Sequence, residues 1–323
     1  MVVAHARLDL ARRCVETLRR FLPLEHLVVV LNAPNQLDDD GLLASLSDQV
    51  RVVSPSAPQG YGANLNLGIR SLPQALQFVV LTNDDVEFGD DSLPKLLNHL
   101  RIDPRVGAVG PAFRDAVGTA LPSVGAFPTA LDAIVRSAAL PGPARAFLRR
   151  VDGRLQMSRR VARGPSGPFP EAEPADWVVG AAMAVRVDAI HAVGGFDEDF
   201  FLYFEEADFC YRLWANGWIV LTARDASVVH LQGQSTTGTE YRAVFRQARR
   251  LYLIKRLGLV RWTMLEVLFL FVLAATSLIG LVLALVKPGT ASRRLQAIRE
   301  CWDHRAFLLP PFRRPQSSAR ARL

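Results

Sequence analysis

Short apolar runs that alternate with helical segments constrain the fold of this chain most. The clearest runs are HLVVVL at His26–Leu31 and QFVVL at Gln77–Leu81, with a third strand candidate at Val50–Ser54. A strand with apolar residues on both faces is typical of the centre of a parallel sheet. Leu8–Phe21 has helical spacing, and a Gly- and Asn-rich loop runs into a helix over Gly60–Ile69. The alternation predicts a doubly wound α/β fold with a mostly parallel sheet and flanking helices.

The remaining segments extend this pattern towards the C-terminus. Residues 112–175 are rich in Pro, Gly and Arg, and we interpret them as a variable excursion or lid with little internal structure. The other expected elements are a helix at about Gly41–Asp48, an apolar strand at Trp177–Val187, a helix at Glu206–Asn216, two final strands at Trp218–Leu221 and Ala226–His230, and a basic helix at Arg242–Lys255.

The basic residues of the chain are clustered. The formal net charge is +7, and the clusters lie at 145–163, at 242–261 and in the tail from Arg293 onward. No helix-turn-helix, zinc-finger or aromatic RNA-binding pattern accompanies them, which argues against a nucleic-acid partner. Because the last two clusters flank a hydrophobic segment, they favour an anionic membrane surface.

That hydrophobic segment is Val267–Val286, twenty residues without a charge. About 20 apolar residues span a bilayer core as a helix. A buried core helix is the alternative, but a segment that is apolar on all sides and basic at both ends favours the membrane. A span, a re-entrant helix and a helix in the membrane plane all stay open. We expect an α/β domain over 1–240, then a basic helix, a membrane segment and a basic tail over 241–323.

The cysteines and the N-terminus bear on the compartment. Cys14, Cys210 and Cys301 are far apart and odd in number, which argues against a disulfide scaffold or a zinc cluster. The N-terminal residues MVVAHARLDL lack the long apolar core of a signal peptide. We therefore expect the α/β domain to stay in the cytosol.

The segment TNDD at 82–85 follows a predicted buried strand. Ligands of open α/β sheets bind at the carboxyl ends of strands. The adjacent carboxylates Asp84 and Asp85 can hold a hard divalent cation, and His230, at the end of another strand, could complete the site. The alternatives are a solvated turn with an Asp as helix cap and a hydrogen-bonded structural histidine. The residues alone favour these alternatives.

Three further carboxylates, Glu205, Glu206 and Asp208, lie in the aromatic-rich stretch FLYFEEADFCYRLWANGW. Neighbours that exclude water raise the pKa of a carboxylate and can tune it as a general base. Alternatively, the aromatic residues pack the core while Glu205 and Asp208 point to solvent, and Arg212 at i+4 could pair with Asp208. For Glu206 both interpretations stay open.

Taken together and in this order, the motifs resemble those of family 2 glycosyltransferases with the GT-A fold. The resemblance runs from the first strand to about Gln234. Its most specific part is WVVGAAMAVRVDAIHAVGGFDEDFFLYFEEADFCYRLWANGW followed by VVH. The arrangement is similar to the bacterial rhamnosyltransferase and galactofuranosyltransferase branch, which builds cell-wall and surface polysaccharides.

The resemblance implies a metal and nucleotide site. TNDD corresponds to the motif that holds Mg²⁺ or Mn²⁺ on a nucleotide diphosphate, with Asp85 as ligand and Asp84 and His230 assisting. Asn83 and Asn32 stand at positions where relatives often carry Asp. The residues implied on the nucleotide-sugar side are Asn32, Gly60, Gly62, Asn64, Asn66, Asn83, Asp84, Trp177 and Gly180.

The resemblance also implies a catalytic base. In this family the base belongs to an acidic pair before a helix, and the second member corresponds to Glu206, where relatives usually carry Asp. An inverting hexosyltransferase would use Glu206 to take a proton from the acceptor hydroxyl, with Glu205 and Asp208 as the other candidates. The aromatic run Phe201–Phe204, with Trp177, would form an apolar wall for the sugar and acceptor.

The expected partners are a nucleotide-diphosphate sugar donor and a glycan or polyprenyl-diphosphate-linked acceptor at the cytoplasmic face of the cell membrane. Asn83 and Glu206 favour one alternative, a catalytically weakened membrane-bound relative that acts as a sugar-binding or assembly partner. An unrelated Rossmann-type enzyme is disfavoured because no G-x-G-x-x-G follows the first strand.

Overall fold

The computed structural model describes residues 1–4, 7–32, 50–73, 75–129, 146, 150–152, 169–231 and 239–268, together with 271, 274 and 278. The chain divides into two units. Unit 1 comprises 1–127, 164–241 and 315–323, and unit 2 comprises 128–163 and 242–314. Unit 2 therefore combines part of the expected excursion with the region after residue 241, and the simpler division at residue 240 stays a prediction.

The strands of unit 1 are β1 (Val2–Ala4), β2 (Val28–Leu31), β3 (Arg51–Val53), β4 (Phe78–Asn83), β5 (Val86–Phe88), β6 (Val106–Arg114), β7 (Ala120–Leu121), β8 (Val124–Gly125), β9 (Ala172–Pro174), β10 (Trp177–Val178), β11 (Ala182–Arg186) and β12 (Ile219–His230). The main sheet has the order β3-β2-β1-β4-β11-β6-β12-β5, with β7 on β6 and β9 on β12. Parallel ladders join β3, β2, β1 and β4, and β6 to β12. Strand β11 runs antiparallel between β4 and β6.

The helices of unit 1 lie between these strands. They are α1 (Leu8–Leu18), a 3₁₀ turn (Leu24–His26), α2 (Tyr61–Arg70), α3 (Ser92–Ile102), α4 (Val187–Val193) and α5 (Glu205–Ala215). Every residue of β2 is buried, as expected for a strand covered on both faces. Helix α1 buries a stripe at helical spacing that includes Leu10, Cys14 and Leu18. The predicted α/β fold with flanking helices is confirmed, and its sheet is mixed.

Three expected elements differ in detail. Trp177–Val187 is two strands, because β10 pairs with β8 in a small separate sheet whereas β11 pairs with β4. The two expected final strands are one, β12, which has a register shift between Thr222 and Ser227. The excursion 112–175 contains β7, β8 and β9, so its described residues have regular structure. The helix expected at about Gly41–Asp48 lies outside the described residues.

Unit 2 contains most of helix α6 (Thr239–Leu257) and a second helical segment over 259–268. Gly258 separates the two with a φ of +81°, a backbone conformation that glycine adopts readily. Among the described residues, no helix combines the length and the apolar character needed to cross a bilayer. Most of the segment 267–286, predicted to enter the membrane, lies outside the described residues.

Candidate active site

The carboxyl ends of β1 and β4 lie side by side at one edge of the sheet. The strands are parallel, with Val3 opposite Asn83, and the Asp84 amide donates to the Val3 carbonyl at 3.2 Å. Strand β11 runs the other way, so its beginning reaches the same edge, where the Asn83 amide donates to the Ala181 carbonyl at 2.8 Å. The edge therefore places Gly180 beside the TNDD turn.

Asp85 and His230 meet at this edge. His230 Nε2 lies 3.3 Å from Asp85 Oδ1, and the two side chains are 12% and 6% exposed. The contact follows from the pairing of β12 with β5, in which His230 lies opposite Val86. Asp85 Oδ1 accepts no hydrogen bond from any described residue. A buried carboxylate oxygen in this state is costly unless a ligand or ion completes its contacts.

The TNDD turn is therefore more than a solvated loop. Asp84 and Asp85 connect β4 to β5, and neither caps a helix, since α3 begins only at Ser92. Carboxylate oxygens suit Mg²⁺ and Mn²⁺, imidazole suits transition-metal ions, and a substrate can supply further oxygen atoms. Asp85 and His230 fit such an ion, although the described residues contain no group of three or more His, Cys, Asp or Glu that could hold a metal.

Glu205 and Glu206, here called the acidic pair, begin helix α5, with Glu205 buried and Glu206 half-buried. The preceding residues Tyr203 and Phe204 have φ angles of 71° and 68°. Two successive non-glycine residues in this region store backbone strain of a kind that concentrates at functional sites. Glu205 is 3% exposed, and within the described structure neither Glu205 Oε2 nor Glu206 Oε2 has a hydrogen-bond partner.

This environment changes the acidity of both carboxyl groups. Burial raises the pKa of Glu206 to about 7, although backbone N–H groups at the start of α5 oppose the shift. Burial, and to a smaller extent the charge of Glu206, raises the pKa of Glu205 well above its usual value. A carboxylate with a pKa near neutrality is well matched to take a proton from a hydroxyl at neutral pH. The acidic pair therefore combines a candidate base whose pKa lies near neutrality with a second carboxyl group of raised pKa.

Asp208 has a structural role. It is fully buried, and Arg212 Nε donates to its Oδ2 at 2.7 Å. Arg212 Nη1 also donates to the carbonyls of Val193 and Gly195, at 2.6 and 2.8 Å. The i+4 pairing considered from the sequence is present, but Asp208 does not point to solvent. Through Arg212, these contacts hold α5 to the turn after α4, and a role of Asp208 as the base stays a prediction.

Three asparagines expected to bind the nucleotide make contacts inside the protein. Asn32 donates to the carbonyl of Gln59 and accepts from its amide, each at 2.9 Å. Asn64 accepts from the Gln59 side chain at 3.0 Å. Asn66 donates to the Phe196 carbonyl at 2.8 Å and accepts from its amide at 2.9 Å. These amides shape the loops around the site, and their direct contact with a nucleotide stays a prediction.

Tyr61, which the sequence analysis missed, lies near the acidic pair and near Asp84 and Asp85. Its amide donates to the Phe201 carbonyl at 2.8 Å, and its hydroxyl donates to the Gly180 carbonyl at 2.9 Å. Burial raises the pKa of Tyr61 well above its usual value, and the charges of the acidic pair and of Asp85 and Asp84 raise it further. The only available signal was an aromatic residue inside GYGANLNLGI.

Gly60→Ala should destabilise the protein more than Gly62→Ala. A Cβ at position 60 would lie 2.8 Å from the carbonyl oxygens of Phe200 and Phe201, whereas one at position 62 would lie 3.3 Å from Phe196 Cβ. Because backbone atoms cannot move aside cheaply, we expect Gly60→Ala to lower the free energy of unfolding by about 1–3 kcal/mol. Urea denaturation of both variants measures the difference, and equal losses would contradict the close approach.

Trp177 and Gly180 have different surroundings. Trp177 Nε1 donates to the Ala126 carbonyl at 3.1 Å, and its ring covers Gly125, so it anchors β10 to β8. Its expected role as a wall for the sugar stays a prediction. Gly180 faces Glu206, where an added Cβ would lie 3.3 Å from Glu206 Cβ. The glycine therefore leaves room for the Glu206 side chain.

Comparison with known proteins places these features among sugar-transferring enzymes. The family model described as "Glycosyl transferase family 2" matches residues 1–125, and that described as "Glycosyl transferase family group 2" matches residues 143–304. The N-acetylglucosaminyl-diphospho-decaprenol L-rhamnosyltransferase of Mycobacterium tuberculosis is 31% identical over an alignment of 230 residues, which covers 67% of this chain and 70% of that protein.

Two solved structures share the fold. The mannosyltransferase PcManGT from Pyrobaculum calidifontis, in complex with GDP-Man and Mn²⁺, matches with a TM-score of 0.52 and 17% identity, over 95% of this chain and 85% of that chain. GalNAc-T7 with UDP, GalNAc and Mn²⁺ matches with a TM-score of 0.53 and 13% identity, over 79% of this chain. The match spans 47% of the GalNAc-T7 chain. At these identities the likeness is one of fold.

Proposed function

Because this chain belongs to glycosyltransferase family 2, whose members transfer a sugar from a nucleotide-sugar donor, we propose that it is an inverting hexosyltransferase. It would move rhamnose or another hexose to a hydroxyl of a lipid-linked or cell-surface glycan. The observation that carries the proposal is the acidic pair, in which the buried Glu205 and the half-buried Glu206 both have raised pKa values. The Asp85–His230 contact, a candidate metal site, also supports the proposal. The charges of the acidic pair and of Asp85 both raise the pKa of Tyr61.

Glu206 is the base in this reaction. It takes the proton of the acceptor hydroxyl while the acceptor oxygen bonds to the anomeric carbon. The bond from that carbon to the diphosphate oxygen breaks on the opposite face, so the configuration inverts. Burial and the charge of Glu206 raise the pKa of Glu205 well above its usual value, and in its protonated form Glu205 can donate a hydrogen bond to the acceptor. The strained turn at Tyr203 and Phe204 immediately precedes both groups and persists only because the surrounding structure holds it.

Asp85 and His230 would hold Mg²⁺ or Mn²⁺, with Asp84 beside them. A bound divalent ion supplies Lewis-acid stabilisation of the charge on the departing diphosphate. Asn83 Oδ1, which has no hydrogen-bond partner among the described residues, can accept a hydrogen bond from the sugar nucleotide.

The space beside Gly180 supports a Glu at position 206. A Glu is one methylene longer than an Asp, and small errors in placement matter to the geometry of attack. Since an added Cβ at Gly180 would also lie 3.5 Å from Glu206 Cγ and 3.6 Å from Cδ, the missing side chain accommodates the added length. Glu206 can therefore occupy this position without displacing β11.

The acceptor is proposed from the mycobacterial relative. Its name specifies N-acetylglucosaminyl-diphospho-decaprenol as the molecule that receives rhamnose. We extend this class, a polyprenyl-diphosphate-linked glycan, to the present chain. The basic clusters around the hydrophobic segment support a location at the cytoplasmic face of the cell membrane.

Turnover of nucleotide sugars tests the proposal. The full chain is incubated with Mn²⁺ or Mg²⁺, a short polyprenyl-diphosphate-linked N-acetylglucosamine, and nucleotide-diphosphate forms of rhamnose, galactofuranose, mannose or N-acetylglucosamine. We expect release of nucleotide diphosphate and a product of inverted anomeric configuration with one donor. Retention of configuration would refute the direct displacement.

The weakened-relative alternative draws on Asn83 and Glu206, which replace the usual aspartates. It predicts a thermal shift with a nucleotide sugar but no acceptor-dependent release of nucleotide diphosphate. The same panel, read by both measurements, separates the two functions.

A further inference from the structure

The helical segment over 259–268 has two different faces. On one face Trp262 is 3% exposed, and Glu266 accepts a hydrogen bond from Arg250 Nε on α6 at 3.0 Å. The Arg250 and Glu266 side chains are only 15% and 14% exposed. The ion pair therefore joins this face to α6 within unit 2 and fixes the rotation of the segment about its axis.

The other face exposes large apolar side chains. Val260, Met264 and Val267 are 73%, 68% and 60% exposed, and Phe271 is 74% exposed. Their separations of four, three and four residues put all four on one side of a helix. We call these four residues the apolar stripe. A contiguous apolar surface that stays in water is unusual in a soluble protein and marks a contact site.

The charges around the stripe are of one sign. Between residues 241 and 265 the sequence contains seven basic and no acidic residues. Lys255 and Arg261 are exposed, and the next acidic side chain, Glu266, is bound to Arg250. A second copy of this chain would bring like charges together, which disfavours self-association through the stripe. An anionic surface complements the charges.

We propose that the apolar stripe docks on an anionic phospholipid bilayer, with the 259–268 helix parallel to the membrane surface. A helix with one apolar face and bordering basic residues is typical of attachment in the interfacial plane. The opposite face keeps its contact with α6, so the attachment leaves Arg250 and Glu266 paired. The proposal concerns attachment alone and does not depend on which sugar is transferred.

The test uses the full chain and vesicles of phosphatidylcholine, alone or mixed with phosphatidylglycerol. We expect the wild type to co-sediment with the anionic vesicles and less with the neutral ones. The triple variant Val260→Gln/Met264→Gln/Val267→Gln should have an affinity for the vesicles that is lower by about tenfold or more. The reason is that each large apolar side chain withdrawn from water favours binding. Val117→Gln is the control, since Val117 is 86% exposed in unit 1 and should not affect binding.

Three results would overturn the proposal. They are wild-type binding that is equal on both vesicles, a triple variant that binds like the wild type, and a stripe-dependent dimer in sedimentation without vesicles. Arg261→Gln serves as a second variant if the triple variant misfolds by circular dichroism, and it should weaken binding to anionic vesicles only. Because sugar turnover is assayed with soluble short-chain acceptors, loss of vesicle binding with intact turnover separates attachment from the proposed function.

Discussion

Replacing Glu206 with Gln should lower kcat by about 100-fold or more, because the substitution removes the base while leaving the shape of the side chain. Substrate binding should change little, so the loss is expected in kcat rather than KM. Steady-state kinetics measure both constants. Glu173→Gln is a matched control, because the Glu173 side chain is 58% exposed on β9 and should leave kcat unchanged.

The pH dependence identifies the same group. Since the pKa of Glu206 is raised to about 7, wild-type kcat should rise with pH through that region as the carboxylate forms. The raised pKa also means that the folded state binds more protons than the unfolded state between the ordinary value of 4.5 and about 7. Stability from this group is therefore present at low pH and falls as pH rises through the folded pKa.

Glu206→Gln should consequently be less active and, above neutral pH, more stable than the wild type, because it removes a buried charge. Thermal unfolding of both proteins at several pH values measures the difference in stability. A variant that keeps its kcat, or whose remaining activity follows the wild-type pH profile, would show that Glu206 is not the base. Glu206→Asp tests whether the extra methylene is needed, with Gly180 unchanged.

Asp85→Asn should reduce activity by about 100-fold or more at fixed metal concentration, because the substitution removes the charge that would hold the ion. It should also raise the Mn²⁺ concentration for half-maximal activity. His230→Gln should act in the same direction but more weakly. The two variants share one contact of 3.3 Å, so their effects should not add.

Removal of metal provides the complementary measurement for Asp85. EDTA should abolish wild-type turnover, and added Mn²⁺ or Mg²⁺ should restore it. Asp90→Asn is a suitable control, since the Asp90 side chain is 92% exposed. Full activity of Asp85→Asn with an unchanged metal requirement would rule out the proposed ligand.

Local sequence patterns predicted the parts of the fold that depend on local chemistry. The apolar run at Gln77–Leu81 located β4, and the polar TNDD after it located the site at the end of that strand. The helix expected at Glu206–Asn216 differs from α5 by one residue at each end. These features follow from periodicity and burial within one segment.

Contacts between distant segments could not be predicted in this way. Asn32, which follows β2, binds Gln59, which precedes α2 and is 27 residues away in the sequence. Tyr61 binds the Gly180 carbonyl across more than a hundred residues. The sequence shows that an asparagine is polar, but not whether its amide faces a ligand or a backbone loop. For the same reason the sequence predicts one strand over Trp177–Val187, although β10 and β11 pair in different sheets.

The hydrogen bonds of α2 and α5 have a consequence for exchanging parts between relatives. Tyr61 and Asn66 of α2 bind the backbone of Phe201 and Phe196, and Arg212 of α5 binds the Gly195 carbonyl. Helix α2 and helix α5, which begins with the acidic pair, thus both bind the loop that precedes α5. A chimera that replaces only one of the two helices would disturb these bonds. We therefore expect the preferences for donor and acceptor to be transferred together, when Gly60–Ala215 is exchanged as one segment.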